Sequence, residues 1–181
     1  ESRTNLLTYS EQFDNAAWVR GGTPANLLVT ANVTTAPDGT LTADKIYDNT
    51  TTAQHLIYQT YATTSGTVYT YSIYAKAAEW TIFRLQLGGG GGVGTFDLSA
   101  VTATSSGTGA ISASIQAVGN GWYRCALVAT SNGNSANYIY KQQASYTGDG
   151  TSGIYLWGAQ LEAGSFPTSY IPTVASQVTR A

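Results

Sequence analysis

Apolar and polar residues alternate along most of this chain, and the alternation stops at clusters of glycine, asparagine, aspartate and proline. A period of two marks a strand with one buried face. It predicts strands over 27–31, 42–47, 56–61, 68–76, 81–87, 111–118, 122–130, 136–142 and 154–161. Turn chemistry separates them at Pro37-Asp38-Gly39, Ser65-Gly66, Gly119-Asn120-Gly121, Asn132-Gly133-Asn134 and Gly148-Asp149-Gly150. Only residues 10–17 suggest a short helix, which Ser10 would cap and from which Phe13 and Trp18 would point inward. Short strands at this spacing predict an all-β fold, a mainly antiparallel β-sandwich. No linker or repeat divides the 181 residues, so one domain over 1–181 is expected. Residues 164–181 differ, because Pro167 and Pro172 lack the N–H a central strand needs; they predict an extended C-terminal segment along the surface.

The same period assigns faces. In 69–76, Tyr69, Tyr71, Ile73 and Ala75 read as core, which leaves Thr70, Ser72, Tyr74 and Lys76 outward. In 81–87, Phe83, Leu85 and Leu87 go in, and Arg84 and Gln86 face out. In 122–128, Tyr123, Cys125 and Leu127 go in, and Trp122 and Arg124 face out. The outward sets combine flat rings with planar hydrogen-bonding groups. Pyranose C–H faces stack on aromatic rings, while Arg, Gln and Lys answer ring hydroxyls. Trp80, at a strand end beside Arg84, is the expected stacking platform, with Tyr74, Arg84, Gln86 and Lys76 around it. Trp122 and Arg124 join this candidate face, as do Gln59 and Tyr61 on the neighbouring strand; Gln59 has the alternative of satisfying backbone.

Composition narrows the partners. Only 10% of residues are charged, while 43% are hydrophobic and 12% aromatic, too aromatic for a disordered chain. Eight Lys and Arg scattered through a chain of net charge −2 exclude the basic patch that nucleic acid or an anionic membrane surface requires. No apolar run is long enough for a membrane helix. The lone Cys125 excludes an internal disulfide and sits in an apolar run, as an inert buried thiol would. The start Glu1-Ser2-Arg3, without methionine, is expected of a piece of a longer chain.

Several motifs carry a resemblance. They are Asn5-Leu-Leu-Thr-Tyr-Ser-Glu-Gln-Phe13 with Asn15-Ala-Ala-Trp18, Ala36-Pro-Asp-Gly-Thr40 with Ala43-Asp-Lys45, and Tyr74-Ala-Lys-Ala77. Gly119-Asn-Gly-Trp-Tyr-Arg124, Trp157-Gly-Ala-Gln-Leu-Glu162 and Ser169-Tyr-Ile-Pro-Thr173 with Thr179-Arg-Ala181 complete the set. In this order they resemble a domain of bacteriophage tail-fibre and head-spike proteins, itself similar to the jelly-roll carbohydrate-binding modules of xylanases and glucanases. The resemblance implies a jelly-roll sandwich, a glycan ligand and a virion or extracellular location. Such modules commonly hold a structural calcium near the chain ends, for which Asp38, Asp44 and Glu162 are the candidate ligands here, but no metal or other cofactor is expected. Trp157-Gly158 stands where such modules carry an acidic residue, a departure from that pattern.

Catalytic patterns are sparse. His55 is the only histidine and no nucleophile elbow accompanies it. Glu79 with Asp97 is the one mid-chain carboxylate pair to nominate for glycoside hydrolysis. The run Gly88–Gly92 lacks the lysine and helix of a phosphate loop and reads as a mobile loop. Two functions remain open. One is a non-catalytic carbohydrate-binding module for an oligo- or polysaccharide. The other is a structural virion domain that oligomerises through exposed strands, its C-terminal segment packed on a neighbour.

Overall fold

The computed structural model describes residues 2–181; Glu1, the first residue of the given sequence, lies outside the described residues. The described residues form sixteen strands: β1 (Arg3–Asn5), β2 (Val19–Arg20), β3 (Leu27–Thr34), β4 (Ala43–Asp48), β5 (Thr52–Ala53), β6 (Leu56–Thr60), β7 (Val68–Ala77), β8 (Ile82–Leu87), β9 (Val93–Asp97), β10 (Thr102–Ser106), β11 (Ala110–Gly119), β12 (Trp122–Thr130), β13 (Ala136–Tyr140), β14 (Tyr146–Thr147), β15 (Gly153–Ala163) and β16 (Val178–Arg180). Two six-stranded sheets dominate. The front sheet runs β10-β9-β8-β13-β6-β2 and the back sheet β11-β12-β7-β15-β4-β3, with antiparallel neighbours throughout. The all-β sandwich is therefore as the alternation predicts.

Its core lies where the period-two faces put it. Tyr71, Ile73 and Ala75 on β7 register with Leu127, Cys125 and Tyr123 on β12, and all but the half-buried Tyr123 are fully enclosed. Phe83 of the front sheet stacks on Phe96 at 5.2 Å. Each such ring contributes roughly 2–3 kcal/mol on burial. Burial also raises the pKa of the Cys125 thiol, which keeps it protonated and inert.

Three differences from the sequence reading have local causes. Residues 10–17 form successive turns, not a helix, with Gln12, Asn15 and Trp18 each donating N–H to the carbonyl three residues back. Ser10 cannot cap there because its hydroxyl is held by Tyr170 and Thr173, although Phe13 and Trp18 do point inward, 4.8 Å apart. Strands β9 and β10 escape the pattern because Val93-Gly-Thr-Phe-Asp97 and Thr102-Ala-Thr-Ser-Ser106 show almost no apolar alternation. The glycine run closes the β8–β9 hairpin tightly: Leu87 N–H donates to Gly92 O at 3.0 Å, and a Cβ on Gly91 would sit 2.0 Å from Leu87 O. Close approach, not a need to move, requires glycine there.

The C-terminal segment leaves β15, crosses the outer face of the back sheet, and ends as β16 paired with β1. Thr70 donates its hydroxyl to Gly164 O, and Ile171 N–H donates to the Gln160 side chain. Glu162, wholly buried, accepts from Thr168 N–H at 2.8 Å and Thr168 Oγ1 at 2.6 Å.

Candidate functional site

Register divides the expected binding residues between opposite surfaces of the sandwich. Tyr74 and Lys76 on β7, with Arg124 and Trp122 opposite them on β12, belong to the back sheet. Arg84 and Gln86 belong to β8 of the front sheet, and Gln59 to β6. One cleft cannot contain both groups.

The back set is occupied by the protein itself. Trp122 is 1% exposed and Trp157 4%, packed with Ala36 and Ala43 in a second apolar cluster. Their indole N–H groups donate to Thr35 O at 2.9 Å and Thr42 Oγ1 at 3.0 Å. Tyr74 meets the edges of Trp157 and Tyr170, at 5.4 and 6.0 Å between centroids. Arg124 lies over the Tyr74 ring and donates to Thr168 O in the C-terminal segment. Lys76, half-buried, runs along the Asn120-Gly121 turn. Arg124 and Tyr74 thus fasten the segment, Trp122 is held under the β3–β4 connection, and none of them offers a sugar a free ring face.

Two further expectations are corrected. Trp80 is 2% exposed and joins the main core, because the β7–β8 connection folds its ring under Lys141, whose ammonium is 5.6 Å from the ring centroid. It is no stacking platform. Gln59 is 4% exposed and points inward, clamping Thr8 by its N–H at 2.7 Å and its carbonyl at 2.8 Å. It takes the backbone-satisfying role left open for it, and Tyr61 packs against the core.

Arg84 and Gln86 do face outward, and the register shows what lies beside them. Tyr140 is opposite Arg84 and Tyr138 opposite Gln86, while Tyr58 of β6 is opposite Tyr138. The Tyr58 and Tyr138 rings lie side by side at 5.2 Å. Next to them is a depression of about 170 Å³ lined by Gln54, Leu56, Gln86, Gly89, Tyr138, Tyr140 and Gln143. Its floor is fixed: Tyr140 Oη lies 2.9 Å from Gln86 Oε1 and 3.0 Å from Gln143 Oε1, and Gln86 Nε2 donates to Gly88 O at 3.0 Å. Arg84 donates to Lys141 O at its edge. Burial raises the Tyr140 pKa against the opposing pull of Arg84, so its hydroxyl stays a neutral donor and acceptor. Among the described residues no carboxylate lines the depression. Tyr58 was legible: choosing Gln59 and Tyr61 put β6 one residue out, which exchanges the faces of the strand. Tyr138 and Tyr140 would have followed from carrying the period through 136–142.

The acidic candidates are engaged elsewhere. Asp44, 1% exposed, accepts from the N–H groups of Phe13 and Asn32 at 2.8 and 2.9 Å. Burial outweighs those bonds, and with Asp14 and Glu11 nearby it pushes the Asp44 carboxyl up to about 6. Asp38 holds the Thr40 turn, and Glu162 holds Thr168. Among the described residues no three His, Cys, Asp or Glu side chains converge as metal ligands, so Asp38, Asp44 and Glu162 do not fit a shared calcium. Glu79 pairs with Lys45 at 2.8 Å and accepts from Gly153 N–H, while Asp97 caps Ser99 and Ala100. A cleft of 410 Å³ lined by Glu11, Gln12, Asp14, Asn32 and Thr42 presents no aromatic ring. His55 is fully buried against Tyr146, its Nε2 3.2 Å from Asn49 Oδ1.

Comparison with known protein families and with curated proteins gave no match. Among solved structures, the chain matches the enzymatically active domain of tailspike protein 4 (orf213) of bacteriophage CBA120, at 17% identity and a TM-score of 0.45. The match covers 87% of this chain and 21% of that one. It assigns no family.

Proposed function

We propose that the outer face of the front sheet binds a glycan without chemically altering it. One observation carries this reading: Tyr138, its ring paired with that of Tyr58, lines a depression of about 170 Å³, and the side chains of Gln54, Gln86, Gln143 and Tyr140 line it with no carboxylate among them. The ring faces stack on pyranose C–H groups, and the Gln54 and Gln143 amides exchange hydrogen bonds with ring hydroxyls, while Gln86 and Tyr140, 7% and 1% exposed, form the floor. Gln86 and Tyr140 hold each other in place, so little rotamer entropy is lost there on binding. Gln54 and Gln143, at the rim, adapt to the ligand. An uncharged sugar fits this lining better than a phosphate or a uronate, since Arg84 is the one cationic side chain beside it by register and is already engaged.

Such a module serves as the targeting part of a longer virion or extracellular protein, the setting the sequence resemblance suggests. Each contact competes with water, so the expected affinity is about 10 μM to 1 mM. The test is retardation of the protein in gels containing xylan, β-glucan, mannan or bacterial surface glycans. Retardation by at least one of them is expected. Free migration through every gel, with the fold intact, rejects the reading.

A further inference from the structure

One wall of the front-sheet depression hangs on a small clip outside both large sheets. Strand β5 ends at Ala53, Gln54 and His55 follow, and β6 starts at Leu56. Gln54 and Leu56 line the depression, while His55 between them is fully buried. The other half of the clip is β14, whose Tyr146 and Thr147 pair with Ala53 and Thr52; Gln143 of the lining lies just before it on the same segment. These two strands pair only with each other, and so short a ladder belongs to the low-stability end of a fold. The His55 and Tyr146 rings fill the clip, 4.5 Å apart between centroids. Asn49 Nδ2 donates to Ala25 O, which turns Asn49 Oδ1 toward Thr51 N–H, Thr51 Oγ1 and His55 Nε2 at 2.9, 2.6 and 3.2 Å. An acceptor there requires the proton on Nε2, so the neutral ring leaves Nδ1 bare. That Nδ1 is buried with no hydrogen-bond partner among the described residues.

We infer that the His55–Tyr146 contact is an acid-sensitive latch on the 141–147 wall: a second proton on His55 releases Tyr146, the wall moves away with Gln143, and the module lets go of its glycan. The ligand here rests on the glycan reading; the latch itself rests on the buried ring. Inside the clip a proton on Nδ1 is a buried charge, whereas the released ring faces water. Burial holds the latched His55 below its ordinary 6.5, against Asp48 and the Ala53 backbone, which favour the charged ring. Lys141, whose ammonium lies 5.0 Å from the centre of the Tyr146 ring, adds to the effect of burial. The latch is therefore at full strength above pH 6.5 and is lost as pH falls through the lower value, by at most about tenfold in population per pH unit. Asp48 acts in the opposite sense, because burial holds its carboxyl above the ordinary 3.8 and its proton favours the closed form. Tyr146, raised by burial, stays protonated, and Asp149, held low by Ser152 and Thr151, stays ionised.

The test pairs two readouts on the whole chain at about pH 7.5 and about pH 5: affinity electrophoresis on the neutral glycan that retards wild type, and hydrogen exchange of the 141–150 segment corrected for intrinsic rate. Between the two conditions wild type is expected to lose affinity about fivefold or more, and the segment to exchange faster by about the same factor. Far-ultraviolet circular dichroism should not change. His55→Phe keeps a ring against Tyr146 and takes no proton, so neither response is expected in it; His55→Gln repeats the comparison should the Phe variant not fold. Asp48→Asn is expected to keep both responses. Global unfolding of wild type at about pH 5, exchange that ignores pH, or faster exchange without loss of affinity overturns the proposal. So does a response that persists in His55→Phe or vanishes in a folded Asp48→Asn variant. Should no glycan retard the protein at about pH 7.5, the glycan reading fails, and exchange alone decides the latch.

Discussion

Removing Tyr170 asks whether the C-terminal segment is held by the residues that the sequence resemblance made conspicuous. Its hydroxyl lies 2.6 Å from Ser10 Oγ and 3.0 Å from Glu11 Oε1, and its ring is 4.7 Å from Trp157 and 6.0 Å from Tyr74. Tyr170→Phe deletes the hydroxyl alone. Ser10 keeps its bond from Thr173 N–H and the half-buried Glu11 gains water, so the cost is about 1 kcal/mol. Tyr170→Ala also removes a partly buried ring, worth about 2 kcal/mol, and two ring contacts at about 0.5 kcal/mol each, for roughly 4 kcal/mol in all. For a chain of this length that lowers the midpoint of thermal unfolding by about 8–16 °C. Urea denaturation of wild type, Tyr170→Phe and Tyr170→Ala measures the ladder, with glycan retardation recorded in parallel. The ladder should appear with retardation unchanged. An alanine variant within 1 kcal/mol of wild type, or one that loses glycan binding at native stability, refutes the assignment of this cluster to the segment.

Three other outcomes follow from buried or strained groups. Tyr71 Oη is fully buried with no hydrogen-bond partner among the described residues, so Tyr71→Phe should gain about 1 kcal/mol in urea denaturation; a loss of that size would mean the hydroxyl is satisfied. Val101, 45% exposed at φ 54°, is a β-branched residue in left-handed backbone, and Val101→Asn should raise the thermal midpoint through relief of about 1 kcal/mol. No rise would mean the turn tolerates valine without strain. Asp44 is held at about 6 against an ordinary 3.8, so its contribution to stability is full below pH 3.8 and is lost as pH rises through 6. That amounts to roughly 3 kcal/mol. Urea midpoints measured from pH 4 to pH 7 should show a decline that Asp44→Asn flattens, whatever its own baseline; an equal slope in both proteins contradicts the assignment.

Strand alternation carried most of the fold, since the inward faces of β7, β8 and β12 are dictated by residues whose period of two survives in the sheets. The paired glycine turn was equally legible: Asn120 and Gly121 both adopt positive φ, as a type I′ hairpin demands. The candidate site was legible only in part, because period fixes the face within a strand but not which sheet the strand joins. Tyr74 and Arg84 are both outward, yet the β7–β8 connection carries the chain from the back sheet to the front. Outward also proved different from exposed. Trp122 faces out of its sheet and is still buried, because the β3–β4 connection, 87 residues earlier in sequence, folds over that surface and takes its indole N–H at Thr35 O. No local pattern announces such a cover.

The most direct measurement compares two single rings on opposite faces. On the glycan that retards wild type, Tyr138→Ala on the front sheet and Tyr74→Ala on the back sheet are measured side by side by affinity electrophoresis. The account predicts that Tyr138→Ala weakens binding about 5–30-fold, the value of one stacked ring at 1–2 kcal/mol, while Tyr74→Ala leaves it unchanged despite lower stability. Binding that survives Tyr138→Ala and disappears in a folded Tyr74→Ala variant would place the ligand on the back sheet and contradict the account.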